Sequence, residues 1–142
     1  MLTPLIRERL IPPKSEKSWR LPGSESTPTP ANDERVAFVD HLHRGVSFPL
    51  HPFCLAVLCA YGIQLHDLPP NSVQHIACFI VLCECYLEIK LHWAMFKRIF
   101  RVKAQPNKDN PHQIGGCNLQ VNLKTSYFSM GFLESVLGWK TR

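Results

Sequence analysis

The sequence predicts a mainly α fold, a small bundle of about four helices followed by an irregular C-terminal tail with at most a short hairpin. The stretch 71–88 is apolar around most of a helical circumference, which is typical of a helix at the centre of a core. The stretch 92–103 follows it and is amphipathic, with a basic polar face. A chain of 142 residues, 45% hydrophobic and 19% charged, suits one such globular domain.

The first 30 residues differ in composition from the rest of the chain. They hold six of the 12 prolines, together with scattered Ser, Thr, Lys and Glu. Such a segment buries too little apolar surface to offset the entropy that ordering would remove. We therefore divide the chain into a disordered leader, 1–30, and a helical domain, 31–142.

Two further helices are expected between the leader and the central helix. The first covers 33–44, because Asn32 or Asp33 can cap its N-terminus. The second covers 51–61, where Pro52 suits the first helical turn. With the stretches at 71–88 and 92–103, they make up the four predicted helices.

After Lys103 the helical period is lost. Residues 105–111 hold two prolines, two asparagines and an aspartate, which predicts an exposed loop. The loosely alternating segment Cys117–Leu123 predicts one short strand. A last short helix is expected around Leu133–Leu137.

The sequence argues against secretion and against membrane insertion. The longest apolar run, Ile76–Cys83, is far shorter than the roughly 20 residues of a membrane span. Pro4 and Arg7 interrupt the N-terminus, where a signal peptide would need an apolar core. We expect an intracellular protein, nuclear or cytoplasmic, whose six cysteines are packed free thiols.

Cysteine spacing does not favour a metal site. Cys54 and Cys59, like Cys78 and Cys83, are five residues apart, which separates them by about 140° around a helix. There is no P-loop, nucleophile elbow or glycine-rich nucleotide fingerprint. A Cys–His pair such as Cys54 with His75 depends on the fold, and packed or surface roles are expected instead. We predict no catalytic residue, no metal and no cofactor, and therefore no enzyme.

Glu84 is the unusual polar residue of the central helix. An unpaired carboxylate in apolar surroundings is unfavourable. We therefore expect Glu84 to reach solvent or to pair with a base such as Arg44 or Lys97. An acid–base role is not predicted, because no complementary catalytic group can be named.

The clearest functional signal is positive charge. Six bases and no acid lie between Lys90 and Lys108, in a chain of net charge +5. If 92–103 is one helix, its basic residues adjoin its aromatic residues, and such surfaces hold phosphates and stack bases. The alternative is an ordinary solvated helix face. The nucleic-acid-binding candidates are Lys97, Arg98, Arg101 and Lys103.

A series of short motifs runs in order through 34–139. The motifs are Arg35-Val36-Ala37-Phe38-Val39, Phe48-Pro49-Leu50-His51-Pro52-Phe53, Tyr61-Gly62-Ile63-Gln64-Leu65-His66, Pro70-Asn71-Ser72, His75-Ile76-Ala77-Cys78-Phe79, Leu82-Cys83-Glu84, His92-Trp93, Lys97-Arg98-Ile99-Phe100-Arg101-Val102-Lys103, Gln105-Pro106-Asn107-Lys108-Asp109-Asn110-Pro111, Gly115-Gly116 and Gly138-Trp139. Together they resemble the gypsy-type transposon (transposase-like) domain of plants.

The resemblance implies descent from an LTR retrotransposon in a plant genome, and it carries over no established catalytic residues. Relatives usually have a Gly-Ile-x-Pro turn where this chain has Glu88-Ile89-Lys90-Leu91, so the central helix is expected to run on here. Relatives also continue past the position of Arg142. The resemblance therefore implies that the domain is incomplete at its C-terminus.

Three functions remain open at this point. The leading one is a non-catalytic, retrotransposon-derived domain that is nucleic-acid-associated or coat-like. The alternative is a self-associating structural domain, through apolar surface that an incomplete C-terminus would leave exposed. The remote alternative is a metal-dependent transposase or nuclease fragment, which would need a cluster of carboxylates. The expected partners are nucleic acid, bound through the basic helix, or a second copy of the chain, and no membrane.

Overall fold

The structure is a computed structural model that describes residues 2–25, 28–105 and 114–122. The prediction of a mainly α fold with at most a short hairpin is confirmed. Within the described ranges, none of the helices is long and apolar enough to cross a membrane. The short helix expected around Leu133–Leu137 lies outside them. The elements are α1 (Leu2–Arg7), α2 (Val39–His43), α3 (Pro52–Tyr61), a 3-10 helix (Leu65–Asp67), α4 (Pro70–Val81), a π-helical segment (Leu82–Tyr86), α5 (Trp93–Ile99), β1 (Phe100–Ala104) and β2 (Cys117–Val121).

The N-terminal segment contains a helix and core contacts that the sequence does not predict. Helix α1 places Leu5 in the core, where only 5% of its surface is exposed. The Trp19 indole donates a hydrogen bond to the Pro12 carbonyl at 2.9 Å. The guanidinium of Arg20 donates two hydrogen bonds of 2.8 Å to Glu34, and they hold the pKa of that carboxyl at about 2. The domain boundary at residue 31 stays a prediction.

Helix α2 is much shorter than the predicted 33–44. The Glu34 side chain accepts from the Ala31 N–H at 2.9 Å, and the Glu34 N–H donates to the Ala31 carbonyl at 3.0 Å. These bonds close a turn where the helix was expected to begin. The short helix is fixed by buried His41, whose Nε2 bonds the Leu68 carbonyl at 2.9 Å. Burial lowers the pKa of His41, so the neutral ring is favoured.

Helix α3 confirms the helix predicted over 51–61. Pro52 occupies the first helical position, and His51 caps the N-terminus by accepting from the Phe53 N–H at its Nδ1 atom, 3.1 Å away. Gly62 closes the helix in the left-handed conformation. Local signals alone therefore determine this element.

The central helix is confirmed, but its predicted end is wrong. Helix α4 stops at Val81, and the π-helical segment continues it only to Tyr86. Glu88 then adopts a φ of 51°, in the left-handed region that favours glycine. The chain therefore turns here despite the glutamate, at the position where relatives were expected to carry the glycine of a Gly-Ile-x-Pro turn.

The helix predicted over 92–103 is two different elements. Helix α5 ends at Ile99, and the chain continues as β1, which pairs with β2 in an antiparallel hairpin. The register places Phe100 opposite Val121 and Val102 opposite Leu119. Cross-strand apolar pairs of this kind stabilise a hairpin, and they depend on a partner that lies far along the chain. The strand predicted over 117–123 is confirmed as β2.

An aromatic cluster around Phe96 joins α3, α4, α5 and β1. The Phe96 side chain is fully buried, and its ring centroid lies between 5.2 and 5.7 Å from those of four other rings. Those rings belong to Phe53, Phe79, Trp93 and Phe100. Helix α5 and the start of the hairpin are therefore anchored to the core by one side chain and its neighbours.

Candidate nucleic-acid interface

The four predicted nucleic-acid-binding residues lie on two elements rather than on one helix. Lys97 and Arg98 occupy the last turn of α5, whereas Arg101 and Lys103 belong to β1. All four side chains are exposed. The prediction of a single helix over 92–103 with one basic face is therefore wrong, because the chain changes from helix to strand at Phe100. The four cations nevertheless remain within seven consecutive residues.

Local interactions stabilise Lys97 and Arg98 at the C-terminal end of α5. Cations are stabilised near a helix C-terminus, where the carbonyl groups carry partial negative charge. The Nζ atom of Lys97 lies 5.6 Å from the centroid of the Trp93 ring, within the range of a cation–π contact. Arg98 also interacts within the chain. Packing and helix electrostatics therefore favour both residues here even without a ligand.

The exposure of Arg101 and Lys103 follows from the two-residue alternation of side chains along β1. Phe100 and Val102 pack against the core, whereas Arg101 and Lys103 are exposed on the opposite side of β1. On β2 the same side carries Asn118, opposite Lys103, and Gln120, opposite Arg101. We call this side the outer face of the hairpin; it consists of Arg101, Lys103, Asn118 and Gln120.

The sequence analysis missed the two amides of the outer face. The alternation of apolar and basic residues from Phe100 to Lys103 is a strand signal that could have revealed the face. Asn118 and Gln120 carry no motif of their own. Only the register of the two strands brings Gln120 beside Arg101.

The hairpin is fixed to α4 along its second strand. The Leu119 N–H donates to the Oγ atom of Ser72 at 2.8 Å, and this bond is buried. At the open end of the hairpin, the Asn122 N–H donates to the Ile99 carbonyl. At the other end, the Gln105 N–H donates to the Gly116 carbonyl at 2.8 Å. The Ser72 bond therefore sets the position of the outer face relative to the core, and the other two bonds close the ends of the hairpin ladder.

The exposed charged side chains of α5 and of the outer face are all positive. No Asp or Glu occurs in 89–105 or in 114–122. Lys108, which also belongs to the acid-free stretch, lies outside the described residues. The rings expected to stack bases pack in the core instead, with Phe96 buried and Trp93 and Phe100 partly buried. This surface therefore offers cations and amides to a ligand.

Glu84 pairs with a base that the sequence analysis did not select. Its Oε1 atom lies 3.3 Å from Nε2 of His51. The two expected partners are engaged elsewhere, since Arg44 donates to Gln74 at 2.9 Å and Lys97 lies over a tryptophan ring. Glu84 is also exposed, as the predicted polar stripe requires.

The cysteines divide into two groups. The thiols of Cys54, Cys83 and Cys117 are buried, and desolvation raises the pKa of each. Within the described ranges no hydrogen bond joins Cys54 to His75, whose ring packs 5.7 Å from that of Phe100. The prediction of packed thiols is wrong for three residues, which are exposed: Cys59, Cys78 and Cys85.

The described part of the chain contains no group of three or more His, Cys, Asp or Glu side chains that could hold a metal ion. A buried carboxylate occurs at Asp67, which accepts from the Gln64 N–H at 2.7 Å and lies 3.4 Å from His66. The Gln64 bond caps the 3-10 helix, so Asp67 has a structural role there.

Part of the chain matches a known protein family. Residues 36–104 match the model of a family described as "Putative gypsy type transposon". No curated protein and no solved structure matches the chain. The matched range includes all four basic residues and ends with the last residue of β1, whereas β2 lies beyond it. The resemblance stated from the sequence is confirmed over this range, and plant origin stays a prediction.

Proposed function

We propose that this protein, whose residues 36–104 match the gypsy-type transposon family model, is a non-catalytic, nucleic-acid-associated or coat-like module derived from an LTR retrotransposon. The observation that carries the proposal is the exposure of four cations within seven residues, in a described stretch, 89–105, that contains no acidic residue. These cations are Lys97, Arg98, Arg101 and Lys103.

Such a surface attracts the phosphate backbone. Each cation that neutralises a phosphate displaces condensed counterions, so the logarithm of the association constant falls linearly with the logarithm of the salt concentration. Four contacts give a slope of about −3 to −4. A basic surface that serves only solubility gives no such slope.

The non-catalytic part of the proposal is supported by the state of the buried thiols. Burial raises the pKa of Cys54, Cys83 and Cys117, which favours the unreactive thiol over the nucleophilic thiolate. His75 is partly buried, and desolvation lowers its pKa. Its ring contacts an aromatic neighbour, and the described residues place no hydrogen bond between it and a nucleophile.

The first test is nucleic-acid binding by the full chain across a salt series, measured by fluorescence anisotropy. We expect the salt dependence described above for the natural chain. Reversing three charges, Lys97→Glu with Arg98→Glu and Arg101→Glu, is expected to weaken binding more than about tenfold and to flatten the slope by about 2–3.

The matched control reverses three exposed cations elsewhere, Arg7→Glu with Lys17→Glu and Arg35→Glu. It changes net charge by the same amount, so a similar loss of affinity in both variants would show that net charge and not this surface governs binding. Binding that is weak and independent of salt in the natural chain would refute the proposal outright.

A second candidate function, self-association, is favoured by an exposed apolar segment at the end of the central helix. Five large apolar side chains between residues 81 and 89 are between 42% and 78% exposed. Exposed apolar surface that is contiguous on a monomer commonly marks an interaction site. The residues are Val81, Leu82, Tyr86, Leu87 and Ile89.

Light scattering tests this candidate. If the segment joins two copies, the mass of the natural chain rises toward that of a dimer with increasing concentration, and Tyr86→Asp with Leu87→Asp abolishes the rise. Leu21→Asp is the control, because Leu21 is 56% exposed and belongs to the N-terminal segment rather than to 81–89. A monomer at every concentration counts against self-association.

A further inference from the structure

We propose that the outer face of the β1–β2 hairpin enters the major groove of duplex DNA, where Arg101 and Gln120 contact base edges. This inference rests on the proposed function, since it names the kind of nucleic acid that the basic surface binds. It goes further by assigning base contacts to two side chains and phosphate contacts to others.

The shape of the two-stranded hairpin suits the major groove. The major groove is about 12 Å wide and admits a two-stranded β-ribbon, whose strands lie about 4.8 Å apart. Proteins that read DNA in this way place the side chains of one ribbon face against the bases. Here the apolar face of the ribbon is packed on the core, whereas on the polar face Arg101 and Lys103 are exposed and Gln120 is partly exposed.

The side chains of Arg101 and Gln120 have hydrogen-bonding groups that match base edges. Arginine donates two hydrogen bonds to guanine O6 and N7, and glutamine can both donate to and accept from adenine N7 and N6. Arg101 and Gln120 are direct cross-strand partners, so they present these two patterns side by side. Within the described ranges, neither side chain forms a hydrogen bond or ion pair, so both retain their capacity for a ligand.

The other residues of the surface fit supporting roles. The Oδ1 atom of Asn118 is buried, so Asn118 is not assigned a base contact. Lys103 lies two residues along the strand from Arg101, about 7 Å away, and Lys97 lies at the end of the preceding helix. Both are exposed cations suited to the phosphates that border the groove.

The aromatic rings near the cations favour a duplex over a single-stranded ligand. Proteins that bind single strands without sequence preference stack the bases on exposed aromatic rings. Here the ring of Phe96 is buried, and those of Trp93 and Phe100 are partly buried and each packs against Phe96. A surface of cations and amides on a narrow ribbon favours the duplex groove.

The test is selection by the full chain from a randomised DNA duplex library, followed by affinity measurements on the selected and on scrambled duplexes. We expect a recurring site that contains both G·C and A·T pairs. Arg101→Ala and Gln120→Ala are each expected to weaken binding to the selected site by about 5- to 150-fold and to reduce its advantage over the scrambled duplex.

Two controls distinguish base contacts from other effects. Lys97→Ala is expected to weaken selected and scrambled duplexes equally, because a phosphate contact carries no sequence information. Gln64→Ala, which removes an exposed amide outside the hairpin, is expected to leave the site preference unchanged. The unfolding midpoint of each variant confirms that the fold is intact.

The outcomes separate this inference from the proposed function. Equal affinity for all duplexes with a steep salt dependence overturns the base contacts and leaves the proposed function standing. Preference for single-stranded DNA or for an RNA duplex, whose major groove is too narrow for a ribbon, overturns the choice of ligand. Absence of binding to every nucleic acid at low salt overturns both.

Discussion

Replacing Phe96 with alanine is expected to lower the free energy of unfolding by about 3–5 kcal/mol. The side chain is fully buried, and four aromatic rings surround it. Truncation removes the apolar contacts of the ring and leaves a cavity, because the neighbouring rings on α3, α4 and β1 cannot all move inward. A domain of this size commonly has a total stability of about 5–15 kcal/mol, so the loss would be a large fraction of it.

Urea unfolding followed by tryptophan fluorescence and circular dichroism measures this effect. The control is Leu55→Ala, which truncates an exposed side chain on α3 and should change stability by less than about 0.5 kcal/mol. A loss below about 1 kcal/mol for Phe96→Ala would mean that the aromatic cluster is not closely packed in solution.

The same substitution bears on the binding surface. Phe96 precedes Lys97 on α5, and its ring contacts that of Phe100, where β1 begins. The core therefore sets the position of the cations at the helix end and of the strand that follows. A variant that remains folded in low urea but binds nucleic acid more weakly would show that this anchoring matters for binding.

The sequence predicts the elements whose signals are local. Helix α3 follows from Pro52 at its start, Gly62 at its end and an apolar sequence between them. The central helix follows from its apolar circumference, although its end does not. Glu88 adopts a left-handed backbone conformation that a glutamate gives no reason to expect.

The elements that were predicted wrongly depend on distant partners. Helix α2 begins late because Glu34 closes a turn on Ala31 and is held there by Arg20 from the N-terminal segment. The second half of the predicted helix over 92–103 is a strand because β2 supplies apolar partners for Phe100 and Val102. Helical periodicity over so few residues cannot exclude a strand, since only the fold decides which pairing forms.

The candidate site was predicted in composition but not in arrangement. The acid-free run of bases identified all four cations, because charge is visible in the sequence. Because the chain is a strand from Phe100 onward, Arg101 and Lys103 lie on β1 rather than on a helix. The register of the two strands places Gln120 opposite Arg101. Ser72 anchors the hairpin through its buried hydroxyl, which accepts a hydrogen bond from the Leu119 N–H. Only the fold brings these two residues together.

Replacing Gly45 with alanine is expected to lower the free energy of unfolding by about 2–5 kcal/mol, the sum of two effects. Gly45 has a φ of +99°, which an L side chain rarely adopts, and this strain costs about 1–2 kcal/mol. A Cβ atom there would also lie 2.7 Å from the Cβ of Ala77 on α4. Neither side chain can rotate away, so relieving the overlap costs a further 1–3 kcal/mol or so.

Gly62→Ala separates these two effects. Gly62 also has a positive φ, of +62°, but no atom lies within 4 Å of the added methyl group. The Gly62→Ala variant should therefore lose only the backbone-strain contribution, about 1–2 kcal/mol of the free energy of unfolding, which urea unfolding measures. Ala77→Gly should recover stability in the Gly45→Ala background although it destabilises the natural helix, a coupling that a double-mutant cycle measures. Equal losses for the two glycines, with no coupling to Ala77, would mean that the end of α2 does not pack this closely on α4.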